Sequence, residues 1–297
     1  MTDIDGSLGS SSPFPKSPVV PNLLDGDASI QFRCHPDVRC FNACCKSIDI
    51  SLTPYDILRL RRHLGISSGD FLTRYTIPYE MEKGGLVGVK LRPVEQGTAC
   101  RFVTEQGCSV YLDRPTACRY YPVALLSMRR QDEYIDRNAY ALVQEEHCLG
   151  HQESRRLTID EYRQEQGLQE YDDLGRGWRQ LILKKKSSGP AVGKPTERSL
   201  QLFFMVCYDL DRFRGFIESP NFRDAYDLPE ELWQKFTDDT ELMLFGFQLL
   251  RQVLFNEATI PIREDALNRR LARKQERNAA MEAIVNKVGS APKESDG

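Results

Sequence analysis

Apolar residues recur at helical spacing in the stretch SLTPYDILRLRRHLG (51–65), where Ile57, Leu60 and Leu64 share one face. The polar residues around them supply the ends: Thr53 at an N-cap, Pro54 at the first helical position, Asp56 in the first turn and Gly65 as a stop. This predicts a short amphipathic helix, and a second follows around SGDFLTRYT (68–76). The pattern then shifts to short strand-like runs, GLVGVKLRPV, ACRFVT and CSVYL, the last two joined by the turn EQG and so predicted as a hairpin. From 157 the chain reads as helix again, with Thr158 and Glu161 in capping-box spacing. Residues 199–218 and 229–255 predict two apolar-faced helices, the second opened by DLPEE.

The expected fold class is therefore α+β: a small cysteine-rich domain with short helices and a β-hairpin, followed by a mainly helical C-terminal region. The predicted organisation is a disordered leader over 1–30, rich in Ser, Pro and Gly, and a cysteine-cluster domain over 31–156. A helical extension over 157–183, a linker over 184–199, a helical region over 200–261 and a charged, partly disordered tail over 262–297 complete it. The long apolar face of the C-terminal helices reads first as ordinary core, with a protein-partner surface as the alternative.

Composition narrows the partners. Of 297 residues, 40 are Lys or Arg and 43 are Asp or Glu, so a net charge of −3 gives no electrostatic argument for nucleic acid or an anionic membrane surface. No stretch approaches the ~18 consecutive apolar residues that span a bilayer. The best candidate, LMLFGFQLLRQVLF, is too short and carries Arg251. The acidic N-terminus lacks the basic start and apolar run of a secretory signal, which predicts a cytoplasmic protein.

That compartment decides how the nine cysteines are read. The cytosol keeps thiols reduced, so a clustered set there points to metal or redox chemistry and away from disulfides. Eight of the nine, Cys34, Cys40, Cys44, Cys45, Cys100, Cys108, Cys118 and Cys148, fall within one block. Cys207 stands apart in the apolar run SLQLFFMVCYDLDRFRGFI and is predicted to pack in the core. Thiolates suit zinc, iron–sulfur clusters and copper(I), each tetrahedral ion or four-iron cluster taking four. Eight candidate ligands thus match two four-ligand sites or one site with spare thiols. Adjacent residues direct their side chains apart, which argues against Cys44 and Cys45 sharing one mononuclear ion and for either two sites or a polynuclear centre.

The spacings, C-x5-C-x3-CC and C-x7-C-x9-C with Cys148 thirty residues on, contain no C-x2-C knuckle of a zinc ribbon and no ferredoxin run. Iron and zinc both stay open, and the irregular spacing favours an iron–sulfur cluster of the four-iron type (4Fe-4S). His35, His147 and His151 lie beside or near cysteines and are read as bystanders, since eight thiols already fill two sites. Abundant carboxylates are read as solvated surface, and no catalytic residue is assigned.

CFNACC (40–45), then LTPYDILRL (52–60), CRFV (100–103) and GCSVYLDRPTACRYYP (107–122) carry a family resemblance. Over about residues 32–150 the chain resembles the YkgJ family of cysteine-cluster proteins, zinc- or iron-chelating domains named for a C-x-x-C-x-x-CC motif. The resemblance implies metal chelation. It departs from the shorthand at Cys34 and Cys40, which are followed by five and three intervening residues where the motif has two. The family also includes flagellin lysine N-methylases, which makes a protein-lysine N-methyltransferase the alternative function. This chain shows no G-x-G-x-x-G after a strand and no C-x3-C-x2-C run to hold S-adenosylmethionine. Arg114 and Arg119 bracket Cys118 and are candidates for hydrogen-bonding or electrostatically stabilising an anionic thiolate-bound centre. The structural alternative has Asp113 capping a helical turn that begins near Pro115, with Arg114 and Tyr121 simply packing.

Overall fold

A computed structural model of the protein describes residues 23–81, 85–128, 137–187 and 195–266, with isolated positions from 268 to 279. Helix α1 (Pro54–Leu64) forms as its sequence dictates. The Thr53 hydroxyl accepts from the Asp56 backbone N–H, the Asp56 carboxylate accepts from the Thr53 N–H at 2.8 Å, and Gly65 closes the helix at φ 63°. Only glycine takes that left-handed cap without a steric cost. Helix α2 (Ser68–Tyr75) follows, capped by Ser67.

The strands are short and their partners distant. β1 (Ser29–Gln31) pairs antiparallel with β9 (Arg156–Thr158), closing the cysteine-rich region on itself. β2 (Ser51–Leu52), β4 (Val87–Leu91) and β3 (Thr76–Glu80) form a three-stranded sheet in that order. β5 (Val103–Thr104) and β6 (Gly107–Cys108) make the predicted hairpin across the EQG turn, with only two residues in each strand. Helix α3 (Thr116–Tyr120) leads into a further hairpin, β7 (Val123–Met128) with β8 (Arg137–Leu142), which the sequence reading lacks. Within the segment expected to be a disordered leader, Leu24 bridges Tyr140 and β1 is a strand; residues 1–22 lie outside the described residues.

Each long helix expected after residue 157 is divided. Gly167, at φ 62°, separates α4 (Ile159–Glu165) from α5 (Leu168–Ser187). Helix α5 carries helical structure to 187, inside the expected linker, of which 188–194 lie outside the described residues. Asp209 divides 199–218 into α6 (Glu197–Tyr208) and α7 (Leu210–Glu218). After α8 (Pro220–Arg223), the 229–255 run becomes α9 (Glu230–Lys235) and α10 (Asp239–Phe255). In both cases an aspartate inside an apolar pattern serves as a new N-cap: Asp209 accepts from the Arg212 N–H, and Asp238 accepts from those of Thr240 and Glu241. Asp is a poor helix-interior residue for this reason. Of the charged tail, Ile262 bridges Tyr226; most of the remainder lies outside the described residues.

One apolar core runs from Ile30 to Ile260 and includes the inward faces of α1, α5, α6, α7 and α10. The apolar faces of the C-terminal helices are therefore covered within the chain. Cys207 is buried among them, as predicted. A charged seam reinforces the junction: Arg61 of α1 pairs with Asp239 and, at 3.4 Å, with Asp211, while Arg214 reaches Asp239 at 2.6 Å. Ser68 donates its N–H to Asp211 at 2.7 Å and its hydroxyl to Asp209 at 2.6 Å. Among the described residues no helix is long and apolar enough to cross a membrane.

Arg61 is nearly buried, so removing Asp239 leaves a poorly solvated cation with only the longer contact to Asp211. Asp239→Ala should lower unfolding free energy by about 2–4 kcal/mol, read from urea denaturation followed by circular dichroism. An unchanged midpoint would show that the seam contributes nothing.

Candidate metal centre

Four chain segments bring the eight clustered cysteines into one region. The first, 32–45, is docked by its backbone: Phe32 N–H donates to the Arg155 carbonyl at 3.0 Å and Arg33 N–H to that of Gly150 at 3.1 Å. The approach is close enough that a Cβ on Gly150 would lie 2.6 Å from the Phe32 ring and 2.9 Å from the Arg33 carbonyl oxygen. Cys34 thereby comes beside the Cys148 loop, and the Leu149 N–H donates to the Cys40 sulfur at 3.2 Å. Further along, Asn42 takes the left-handed conformation at φ 64° and donates its side-chain amide to the Thr104 carbonyl at 3.1 Å. That reversal starts the single 3₁₀ turn Ala43–Cys45.

The vicinal pair departs from the sequence expectation. The turn places the Cys44 and Cys45 sulfurs 3.9 Å apart. A tetrahedral ion with metal–sulfur bonds of ~2.3 Å has sulfur–sulfur edges of roughly 3.8 Å, so adjacency does not keep these two thiols from one ion. The argument from diverging side chains holds for regular helix and strand, and this turn is neither.

The second and third segments meet Cys45. Its carbonyl accepts from the Cys100 N–H at 2.7 Å, and Ile48 N–H donates to the Thr98 carbonyl at 2.9 Å. The Cys100 sulfur accepts from the Phe102 N–H at 3.4 Å, while Cys108, on β6, pairs across the hairpin with Val103. Cys118 lies on α3, whose start is fixed by a buried carboxylate. Thr116 donates its N–H at 2.8 Å and its hydroxyl at 2.7 Å to Asp56, which is fully enclosed. Asp56, Gly150 and Asn42 are the positioning residues that sequence reasoning missed; Asp56 had looked like an ordinary first-turn acid.

All eight are free thiols, with Cys34 and Cys44 exposed and Cys100 buried. Burial first, then the thiols of Cys44, Cys40 and Cys148, push Cys34 up to about 11. Burial likewise raises Cys100, Cys108 and Cys118, with Cys44 adding to each. The hydrogen bond from Cys45 holds Cys44 down at about 7, and the same contact together with burial drives Cys45 upward. Two thiols that share one proton behave in this way.

Among the described residues no three His, Cys, Asp or Glu side chains stand close enough together to hold a metal ion as they are. The donor set fits soft, thiophilic metals. Binding one requires the sulfurs to draw inward as their protons leave. Of the two bracketing arginines, Arg114 donates to the Tyr111 carbonyl at 2.9 Å and to the Gln166 side chain, and its charge eases ionisation of both Cys34 and Cys108. Arg119 has a different task. Its guanidinium donates to the carbonyls of Leu112, Arg114 and Gln166 and lies 4.3 Å from the Tyr171 ring centre, tying the turn before α3 to the end of α4. Asp113 does not cap that helix and pairs with Arg59 at 2.6 Å and His63 at 2.9 Å. The histidines near the cysteines have other neighbours: His35 faces Asp37 and Glu153, His147 faces Glu145, and His151 contacts the Val143 carbonyl.

Residues 33–149 match the family model CxxCxxCC, described as a putative zinc- or iron-chelating domain. Over that span the chain is similar to a CxxCxxCC domain, and the YkgJ name fits the matched model. The match opens one residue before Cys34 and closes one after Cys148, so it contains all eight clustered cysteines despite the longer first spacings. No curated protein and no solved structure matches the chain.

Gly150→Ala should separate the Cys34 and Cys148 segments and weaken metal binding about tenfold in a competitive chelator titration, the usual scale for disturbing the support around a site. Unchanged affinity would mean that this docking does not shape the centre. In metal-free, reduced protein, alkylation of Cys44 by iodoacetamide should rise with pH through a midpoint near 7 as its thiolate forms. With Cys45→Ala the midpoint should move up into the ordinary thiol range, as peptide mapping would record.

Proposed function

We propose that the CxxCxxCC domain holds iron on its cysteine thiolates as an iron–sulfur cluster of the four-iron type, with zinc as the competing occupant. The observation that carries this reading is the gathering of eight reduced thiols from four separate chain segments around one vicinal pair. Metal chelation as such follows from the family match. The preference for iron rests on spacing: ligands recruited from distant segments, without paired C-x2-C knuckles, suit a polynuclear centre better than a compact zinc knuckle. The vicinal pair no longer contributes to that preference, because its sulfur separation suits a single ion equally well.

Such a centre would serve electron transfer, metal storage or sensing in a reducing compartment, the cytoplasm, where thiols stay free. Arg114 would offset part of its negative charge, and the cluster itself would supply one-electron chemistry.

Anaerobically purified protein should contain iron and acid-labile sulfide in equal amounts and absorb in the visible, and the Cys44→Ser, Cys45→Ser double variant should lose both. Colourless protein holding zinc would replace iron with zinc; methyl transfer from S-adenosylmethionine to protein lysines would support the methylase alternative. Since thiolate–metal bonds tie segments that otherwise carry only short strands, metal removal should expose 32–150 to limited proteolysis. Equal resistance with and without metal would contradict that.

A further inference from the structure

We propose that the eight thiols form two closed four-thiolate centres side by side, an outer one of Cys34, Cys40, Cys44 and Cys148 and an inner one of Cys45, Cys100, Cys108 and Cys118. This rests on the reading of the domain as a thiolate metal site and assigns its ligands.

The backbone sorts the cysteines before any metal is considered. Cys34 and Cys148 belong to two segments hydrogen-bonded to each other, Arg33 to Gly150, and the Cys40 sulfur receives the Leu149 N–H at 3.2 Å. Cys45 and Cys100 are joined through a 2.7 Å backbone hydrogen bond. Cys108 is held across the hairpin that follows Cys100, and Cys118 is fixed from beneath by Asp56, itself part of α1. The outer set is anchored to the 148–150 loop and the inner set to the hairpin and α1.

Cys44 and Cys45 are the seam. Cys44 is exposed and stands between the sets, near Cys34 and Glu145 on one side and near Cys100, Cys108 and Cys118 on the other, whereas Cys45 packs against the apolar core. Their sulfurs lie 3.9 Å apart, so the two ligand sets would adjoin at this pair. Arg114, tied to the Tyr111 carbonyl at 2.9 Å and to the Gln166 side chain, lies close enough to Cys34 of one set and Cys108 of the other to favour the thiolate of each.

Two consequences follow from the count. Four thiolates complete a tetrahedral ion or a four-iron cluster, leaving no open position for a substrate or hydroxide, so both centres are structural or electron-carrying. The outer centre, with two exposed ligands, should also exchange its metal first.

The test uses the full chain loaded with cobalt(II) or zinc(II), and separately reconstituted with iron and sulfide. Metal per chain is measured together with the thiolate-to-cobalt charge-transfer band. Wild type should bind about two ions, or two clusters, and a chelator should remove half of the metal in a fast phase. The Cys34→Ser, Cys148→Ser variant, altered only in surface segments, should retain half of the metal and lose the fast phase. Cys100→Ser, Cys108→Ser should retain the other half. Should that inner variant fail to fold, the outer one decides alone. Saturation of wild type at a single ion or cluster, or complete loss of metal from the outer variant with its circular dichroism intact, would overturn the two-centre assignment while leaving thiolate metal binding standing. Wild type that binds none of zinc, cobalt or iron would overturn both.

Discussion

The buried carboxylate of Asp56 is the point on which scaffold and site both depend. One oxygen completes the capping box of α1, and the other accepts two hydrogen bonds from Thr116, so the first turn of one helix fixes the start of another. An enclosed carboxylate is costly unless its lone pairs are filled. Here burial pushes its proton affinity up, and the hydrogen bonds from Thr116 and Thr53 oppose that. The geometry that satisfies it also places Cys118 near Cys45, Cys100 and Cys108. Helix α1 then extends this order to the C-terminal helices through Arg61 and its aspartate partners.

Around that anchor the cysteine region has little regular structure of its own. Its strands are two to six residues long and pair in four small sheets, which leaves much of the four cysteine-bearing segments as loop and turn. Thiols brought together without a cation raise one another's proton affinity, which opposes closer approach of the thiolates. A bound metal reverses the sign, since each thiolate then meets a shared positive charge. A bound metal would therefore couple metal capture to the folding of this region.

The two arginines beside Cys118 show how similar sequence positions diverge. Arg114 lies 4.0 Å from the Tyr111 ring centre, donates to the Tyr111 carbonyl and the Gln166 side chain, and its charge is felt by Cys34 and Cys108. Arg119 lies as deep, and its donors go to the backbone carbonyls of Leu112, Arg114 and Gln166. A planar fork with several donors is well suited to tying irregular backbone together.

Local chemistry was legible in the sequence wherever it acts within a few residues. Thr53, Pro54, Asp56 and Gly65 set α1, Thr158 and Glu161 set the start of α4, and the EQG turn set the β5–β6 hairpin, because caps and tight turns depend on neighbours in the chain. The eight cysteines were legible as a soft-metal donor set for the same reason: ligand chemistry resides in residue type. Only the tertiary structure decided the rest. Asp209 and Asp238 end helices that periodicity alone would continue, since each can cap the helix that follows it. The closeness of Cys44 to Cys45 follows from a left-handed Asn42 tied to Thr104, a contact 62 residues away. Which cysteines face one another depends on segments brought together over more than a hundred residues, as Leu149 meets Cys40, and spacing along a chain carries no record of such meetings.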